Sequence, residues 1–561
     1  MSEQTDLSPT TNATRPHTRI VPSDYLCAAL ILLTVLILGV PGITTGGLGW
    51  SDAPQHTFDG IFVLDFLRQR PFDNPRQWAE QFYLFNPALG IVAYWPPGFA
   101  IVEAAVFAVF GVSVAAARVT VLLFASGAGI LMFSLGRRWF DRLTGLFAAL
   151  LLITCPHGAL WLGDVMLEWP AAFWLLAVCY AYQKDRDTLL ARWAVALAAA
   201  VVMAFITKQT AGFILPVLLL HAILAGDRRR YLLRPAFIIP VVVAFAVIVG
   251  YTAFARLHAA LPSTLLRPST DDLLFYPRHM PEIVGWPLLP LAVLGLGTLI
   301  AAPDRRARGL LLLWFLAWVA FSTAISAKEP RYFFFALPPL MFAAVRFLLP
   351  QARRGEREQL IRWKTDAVRL ALLVALVCTQ AGLALARSTG RLPDYGPAVA
   401  ALADRPDADL VLVDAVRDGQ FVFDAYRNNR TRGRIIPLRA SKLLYARAAR
   451  MKYSGQIFAR TEQDIIDLLD KYGIRYIVIE SALPRTHYTD ADPLPRKLLR
   501  RLLAEDPRFR LVDAWPLRCG DPIWDHVELR LYAYSDCPPR SSDTITLSFP
   551  GMGREITFRI P

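Results

Sequence analysis

From Trp50 to Phe99 the chain reads WSDAPQHTFDGIFVLDFLRQRPFDNPRQWAEQFYLFNPALGIVAYWPPGF. This stretch is too long and mixed to be a simple connector. Ahead of it lies an apolar run, Leu26 to Val40, and behind it apolar stretches near 97–111, 115–135, 143–162, 169–182, 190–206, 210–225, 236–255, 286–302, 309–325, 332–349 and 367–386. Each is long enough, or nearly so, to span about 30 Å of hydrocarbon as a helix. Within the loop itself, Phe58, Ile61, Phe62, Leu64, Phe66 and Leu67 recur at helical spacing. That pattern predicts a helix lying along the membrane surface, with Asp52, His56 and Asp59 at its mouth.

Composition agrees with this reading. A chain of 561 residues with 55% hydrophobic residues, 19% charged residues and a mean hydropathy of +0.38 is neither a set of soluble domains nor a disordered or collagen-like chain. The formal charge of +14 fits Lys and Arg retained on cytoplasmic loops, so nucleic acid is not an expected partner. Cys27, Cys155, Cys179 and Cys378 sit in apolar runs as small hydrophobes, and no CxxC pair suggests zinc or redox chemistry. Only Cys519 and Cys537 lie in polar sequence, as a disulfide or as two surface thiols.

The basic connectors GRRWFDR (136–142), KDRD (184–187), GDRRRYLLR (226–234), PDRRARG (303–309) and QARRGEREQLIRWK (351–364) all belong on the cytoplasmic side, together with a polar tail over 1–23 that has no cleavage site after it. The other side then receives residues 44–96, 163–168, 207–209, 257–285, 326–332 and everything after about 387. Counting every apolar stretch as a crossing gives the wrong parity. Making the Pro96-Pro97 segment over 97–111 re-entrant leaves eleven crossings and implies a cavity beside it; a further crossing within 44–96 would also repair the count. The expected architecture is mostly α: a helical membrane bundle over 24–386, then a soluble α/β domain over 387–561. The domain is marked by the strand-like runs DLVLVD (409–414), RYIVIE (475–480) and ELRLYAY (528–534), and by the helix TEQDIIDLLDKYG with a capping box from Thr461 to Asp464.

The polar residues of interest gather on the exterior side. Asp164 and Glu168, four apart at the start of a crossing, share one helical face; they could hold a cation, divide acid and base work, or complement the helix dipole. Lys208, and Lys328 with Arg331 beside Tyr332, form two basic elements on the side where the charge rule disfavours cations. They call for an anionic partner, of which a lipid phosphate is the simplest, or else snorkel to headgroups. Arg118, at the outer end of the 115–135 crossing, joins them. His157, in the turn after Cys155-Pro156, reads as a loop residue.

In this order the pieces resemble the GT-C superfamily of membrane glycosyltransferases, in the branch of protein O-mannosyltransferases and the lipid A aminoarabinose transferase. Family members carry an acidic residue soon after the first helix (Asp52), a Pro-Pro turn after the first loop (YWPPGF) and an Arg early in the next crossing (Arg118). An acidic residue opens a later helix (Glu168), followed by a Thr-Lys pair (Thr207-Lys208) and an Arg-Tyr before a Pro-ending helix (Arg331-Tyr332, Pro338). Many relatives have two consecutive acidic residues where this chain has Ser51-Asp52-Ala53, and His-Pro-Pro where it has Trp95-Pro96-Pro97. The resemblance implies an inverting transfer of one sugar from a polyprenyl-phosphate donor to a hydroxyl of an envelope glycan, lipid or protein. It places the reaction on the non-cytoplasmic face of a bacterial inner membrane, among membrane lipids.

On that reading Asp52 is the base, and Glu168 holds acceptor or sugar hydroxyls. Lys208, Arg331 and Arg118 stabilise the phosphate, and Tyr332, Asp59, His56, Asp164 and Lys328 complete the binding site. No cofactor is indicated, with a divalent metal left open. The rival from another class is a lipid or solute transporter, which would show paired halves that this sequence lacks. A membrane scaffold working through its tail leaves the ordered boundary charges unexplained. The tail has no G-x-S-x-G, H-E-x-x-H or GxGxxG motif.

Overall fold

A computed structural model of the protein describes residues 21–49, 52–90, 95–225, 231–258, 270–301, 305–325, 328–349, 359–386, 394–446, 456–483, 493–517, 519, 522–549 and 554–561. The N-terminal tail and parts of the connectors around 226–230, 303–304 and 351–358 lie outside these residues. The membrane part is helical: α1 (Pro22–Gly39), α2 (Ala53–Gln69), α3 (Pro75–Phe85), α4 (Gly98–Phe110), α5 (Val114–Trp139), α6 (Arg142–Thr154), α7 (Pro156–Leu160) and α8 (Glu168–Thr188). These are followed by α9 (Ala191–Thr207), α10 (Ile214–Leu224), α11 (Pro235–His258), α12 (Thr270–Val284), α13 (Leu289–Ala301), α14 (Arg305–Ala324), α15 (Leu337–Leu348) and α16 (Gln359–Ala386). Among the described residues five segments, Pro22–Gly42, Val114–Trp139, Pro235–Leu257, Pro330–Leu348 and Asp366–Ala386, are long and apolar enough to span a bilayer unaided, and Leu273–Val284 with Leu289–Ile300 form an apolar pair bent by 115°. Shorter apolar helices pack among them. The chain is a multi-pass membrane protein.

Ion pairs gather the basic connectors at one end of the bundle. Asp24, at the start of α1, takes Arg142 at 3.0 Å and also Arg137. Asp185 pairs with Arg234, Asp187 with Arg138, and Asp141 with Arg346 at 3.7 Å. Asp24 additionally accepts the Val21 N–H at 2.9 Å, so one carboxylate both starts α1 and ties it to the α5–α6 connector. The Pro96-Pro97 segment is a continuous helix, α4, rather than irregular backbone. At about 20 Å it falls short of the hydrocarbon thickness. It begins against Thr207 and hands over to α5 one turn before Arg118, so both of its ends lie away from the basic connectors.

Residues 257–285 contain a helix, α12, folded sharply back on α13. The helix expected in the first loop, α2, forms and is covered by the C-terminal domain: His56 and Asp59 are buried, and Phe58 packs edge-on against Phe423 and Tyr426 of that domain. The spacing shows one apolar face; it cannot show that a later domain covers the other.

The C-terminal domain adds α17 (Gly396–Ala403), β1 (Leu410–Asp414), α18 (Asp418–Arg427), β2 (Ile436–Arg439), α19 (Ala440–Leu443), α20 (Glu462–Tyr472), β3 (Tyr476–Glu480), α21 (Leu494–Glu505), β4 (Phe509–Pro516) and β5 (Glu528–Tyr534). The sheet order is β2-β1-β3-β5-β4, with β1 parallel to β2 and β3, and β5 antiparallel to β3 and β4. Strands β6 (Thr544–Phe549) and β7 (Arg554–Arg559) form a separate antiparallel pair. Helix α20 has the expected capping box at Thr461 and Asp464 and ends at Gly473 with φ 63°. Each face of the large sheet has its own core. Cys519 borders one and Cys537 the other, and no disulfide joins them.

Candidate active site

Asp52 precedes α2, yet its carboxylate does not cap the helix. It turns instead to Arg331, whose Nη2 donates to Asp52 Oδ2 at 2.9 Å. Arg331 sits in a 3-10 turn, Pro330–Ala336, that leads into α15, and its Nε faces the Glu329 carboxylate. Glu168 is the first residue of α8, and it is wholly buried. Its Oε1 accepts from Lys208 Nζ at 2.8 Å, where α9 ends and a 3-10 turn begins. The Tyr332 ring links the two pairs: Lys208 Nζ lies 5.6 Å and the Arg331 guanidinium 5.3 Å from its centroid. Four separated chain segments therefore converge at the end of the bundle opposite the basic connectors.

The close approach is built in. Proline pairs with glycine in Pro97-Gly98 to start α4, and a Cβ at Gly98 would come within 2.8 Å of the backbone of Ile206 and Thr207. Only glycine lets α4 lie against the residues that carry Lys208. His56, one turn into α2, is 2% exposed, with its ring against Trp95 and Phe99. Burial pulls its imidazole down to about 4, against the opposing pull of Asp52 and Glu168, so His56 is neutral at physiological pH. Burial alone would raise the Asp52 carboxyl, but Arg331, with Lys208 behind it, holds it below its usual value. At rest the cluster is thus three carboxylates, Asp52, Glu168 and Glu329, neutralised in part by two cations.

The other predicted residues do different work. Arg118 is not aimed at the cluster: its Nη1 donates to the carbonyls of Gly42 at 2.7 Å, Ile43 at 3.3 Å and Thr45 at 2.8 Å, and its Nη2 to that of Gly47 at 2.8 Å. Asp164 accepts from the backbone N–H of Gly49 and Val165, whereas Glu168 accepts from Lys208. Asp59 accepts from the Gly90 N–H at 2.9 Å. Lys328 donates to the carbonyls of Ser322 and Thr323 in the last turn of α14. His157 is buried beside Trp161. Glu329 is the residue that the sequence reading passed over; its position two before Arg331 was the available signal. Among the described residues no group of three or more His, Cys, Asp or Glu side chains is placed to hold a metal ion.

Comparison with known proteins agrees with this architecture. The family model for dolichyl-phosphate-mannose-protein mannosyltransferase matches residues 95–253. No match is found among curated proteins. Of solved structures, ArnT from Cupriavidus metallidurans bound to undecaprenyl phosphate matches with a TM-score of 0.56 at 15% identity, over 92% of this chain and 99% of that one. The archaeal oligosaccharyltransferase AglB from Archaeoglobus fulgidus, in complex with an inhibitory peptide and a dolichol-phosphate, matches with a TM-score of 0.56 at 11% identity, over 82% of this chain and 69% of that one. The mycobacterial arabinofuranosyltransferase AftD matches with a TM-score of 0.53 at 14% identity, over 93% of this chain and 40% of that one. At these identities the likeness fixes the fold: a GT-C membrane bundle followed by a small α/β region.

Proposed function

We propose that this chain, a membrane glycosyltransferase of the GT-C superfamily, moves one sugar from a polyprenyl-phosphate donor to a hydroxyl of a glycan, lipid or protein acceptor, with inversion at the anomeric carbon. The observation that carries this reading is the buried cluster of Asp52–Arg331 and Lys208–Glu168 pairs at the end of the bundle away from the basic connectors. By the charge rule that end faces the periplasm of a bacterial inner membrane, and the C-terminal domain lies with it. The polyprenyl and dolichol phosphates bound to ArnT and AglB support a lipid phosphate as the donor's leaving group.

The resting ion pairs suggest how the chemistry proceeds. A donor phosphate entering the cluster competes for Arg331 and Lys208. As Arg331 turns to the phosphate, Asp52 loses the neighbour that depresses its proton affinity and becomes a better base. The acceptor oxygen then attacks C1, its proton passes to Asp52, and the C1–O bond breaks with its electron pair leaving on the polyprenyl phosphate. Arg331 and Lys208 stabilise that developing charge, while Glu168 and Glu329 are left as acceptors for sugar or acceptor hydroxyls.

The test uses the purified full chain in lipid nanodiscs, with a panel of radiolabelled undecaprenyl-phosphate sugars and envelope extract as acceptor. Asp52→Asn should lower turnover at least about 10²-fold, in the range of general-base removal, with undecaprenyl phosphate binding retained. Substantial residual transfer by Asp52→Asn would refute its role, and label crossing sealed vesicles without transfer would favour a transporter.

A further inference from the structure

The backbone that delivers Asp52 is held from three directions. Arg118 gathers the carbonyls of Gly42, Ile43, Thr45 and Gly47. Asp164 takes the Gly49 N–H at 3.1 Å. The third hold comes from the C-terminal domain: Gln420, on α18, accepts the Leu48 N–H through its Oε1 at 2.7 Å, across 372 residues of sequence. The Gln420 carboxamide is itself oriented, since its Nε2 donates to Asp424 Oδ1 at 3.0 Å and the other Asp424 oxygen accepts the Tyr395 N–H at 3.2 Å. Gln420 is 1% exposed.

Packing brackets Asp52 on both sides. A Cβ at Gly47 would come 2.6 Å from the Gln420 side chain, and a Cβ at Gly419 would come 2.9 Å from Pro54. The N-terminal end of α18 therefore touches the chain just before and just after Asp52, where glycine alone permits the approach. A hydrogen bond in so dry a setting fixes a donor that would otherwise be buried unpaired, and displacement of a reacting group by about 1 Å can lower a rate about 10²-fold.

We propose that Gln420 is a positioning residue for the transfer reaction: held by Asp424, it pins the backbone at Leu48 and so sets the Asp52 carboxylate opposite Arg331, which makes the soluble domain a working part of the active site. This rests on the reading of Asp52 as the base. Gln420→Met removes both hydrogen bonds at similar volume. Gln420→Glu keeps an acceptor for Leu48 but sets two carboxyl groups face to face. Adding Asp424→Asn to Gln420→Glu restores a complete pattern, because the new amide donates to position 420 and still accepts from Tyr395.

In the full chain, with the undecaprenyl-phosphate sugar that gives transfer in the assay above, Gln420→Met and Gln420→Glu should each lower kcat about 10- to 100-fold with KM for the donor unchanged within about twofold. The Gln420→Glu/Asp424→Asn pair should recover most of the loss. Without any substrate, Gln420→Met should speed hydrogen–deuterium exchange in peptides covering Leu48 to His56 more than in the strands of the large sheet. Wild-type kcat in Gln420→Met overturns the proposal, as does a loss that the double variant fails to restore or that falls equally on KM and thermal stability. If Asp52→Asn remains active while the exchange result stands, the base assignment fails and the tether does not.

Discussion

Arg331 is bonded to two acids through different nitrogens, Nη2 to Asp52 and Nε toward Glu329. A lysine ammonium is a single point charge and cannot reproduce that fork. Arg331→Lys should therefore fold but lose about 10²- to 10³-fold in kcat/KM, measured with the labelled donor; near-wild-type activity would mean that only charge matters there. Glu103 poses the opposite case. It is wholly buried on α4 against α2, neither of its oxygens has a hydrogen-bond partner among the described residues, and Asp59 is a like-charged neighbour. Replacing an unsatisfied buried carboxyl by an apolar group of similar size removes a desolvation penalty of roughly 1–3 kcal/mol. Glu103→Met should raise the melting temperature of the detergent-solubilised chain, and a lowered one would show that the carboxyl serves an undetected partner.

Helix α18 faces both the membrane part and its own sheet, and its titration differs from that of a surface helix. Burial, reinforced by Asp394, pushes Asp424 up to about 7 from 3.8. Burial likewise pushes Glu480, at the end of β3, up to about 7 from 4.5 while it accepts from Tyr395 and Val416. Between pH about 4 and about 7 the folded domain holds protons that the unfolded chain has released, so stability falls as pH rises through that window and levels off above it. At about 1.4 kcal/mol per pKa unit, the contribution at Asp424 is on the order of 4 kcal/mol. The melting temperature of the full chain should decline from pH 4.5 to 7.5, and Asp424→Asn should flatten the decline even where it lowers the absolute value. An unchanged slope in the variant would show that other groups set it.

At the scale of the molecule, what was legible followed from local pattern. Apolar run lengths gave the helices of the bundle, basic connectors gave a common end, and Thr461 with Asp464 gave α20. The convergence of Asp52, Glu168, Lys208 and Arg331 was legible only because topology places their four segments at one end. What failed to show depends on partners without a side-chain signature: Arg118 binds carbonyls, and Asp164 and Gln420 bind backbone N–H groups. The edge strand β4 escaped because a register shift between Leu511 and Asp513 breaks its alternation. The hairpin sequence TITLSF did alternate and could have been read. All of this leaves the sidedness of the C-terminal domain to the charge rule, and that rule has a direct test. Asp543→Cys, on the exposed hairpin, should react with a membrane-impermeant maleimide in intact spheroplasts, whereas Arg192→Cys, exposed at the start of α9 among the basic connectors, should react only after permeabilisation. Reversed labelling would put Asp52 and its neighbours in the cytoplasm, where the same cluster would meet a donor from the opposite leaflet.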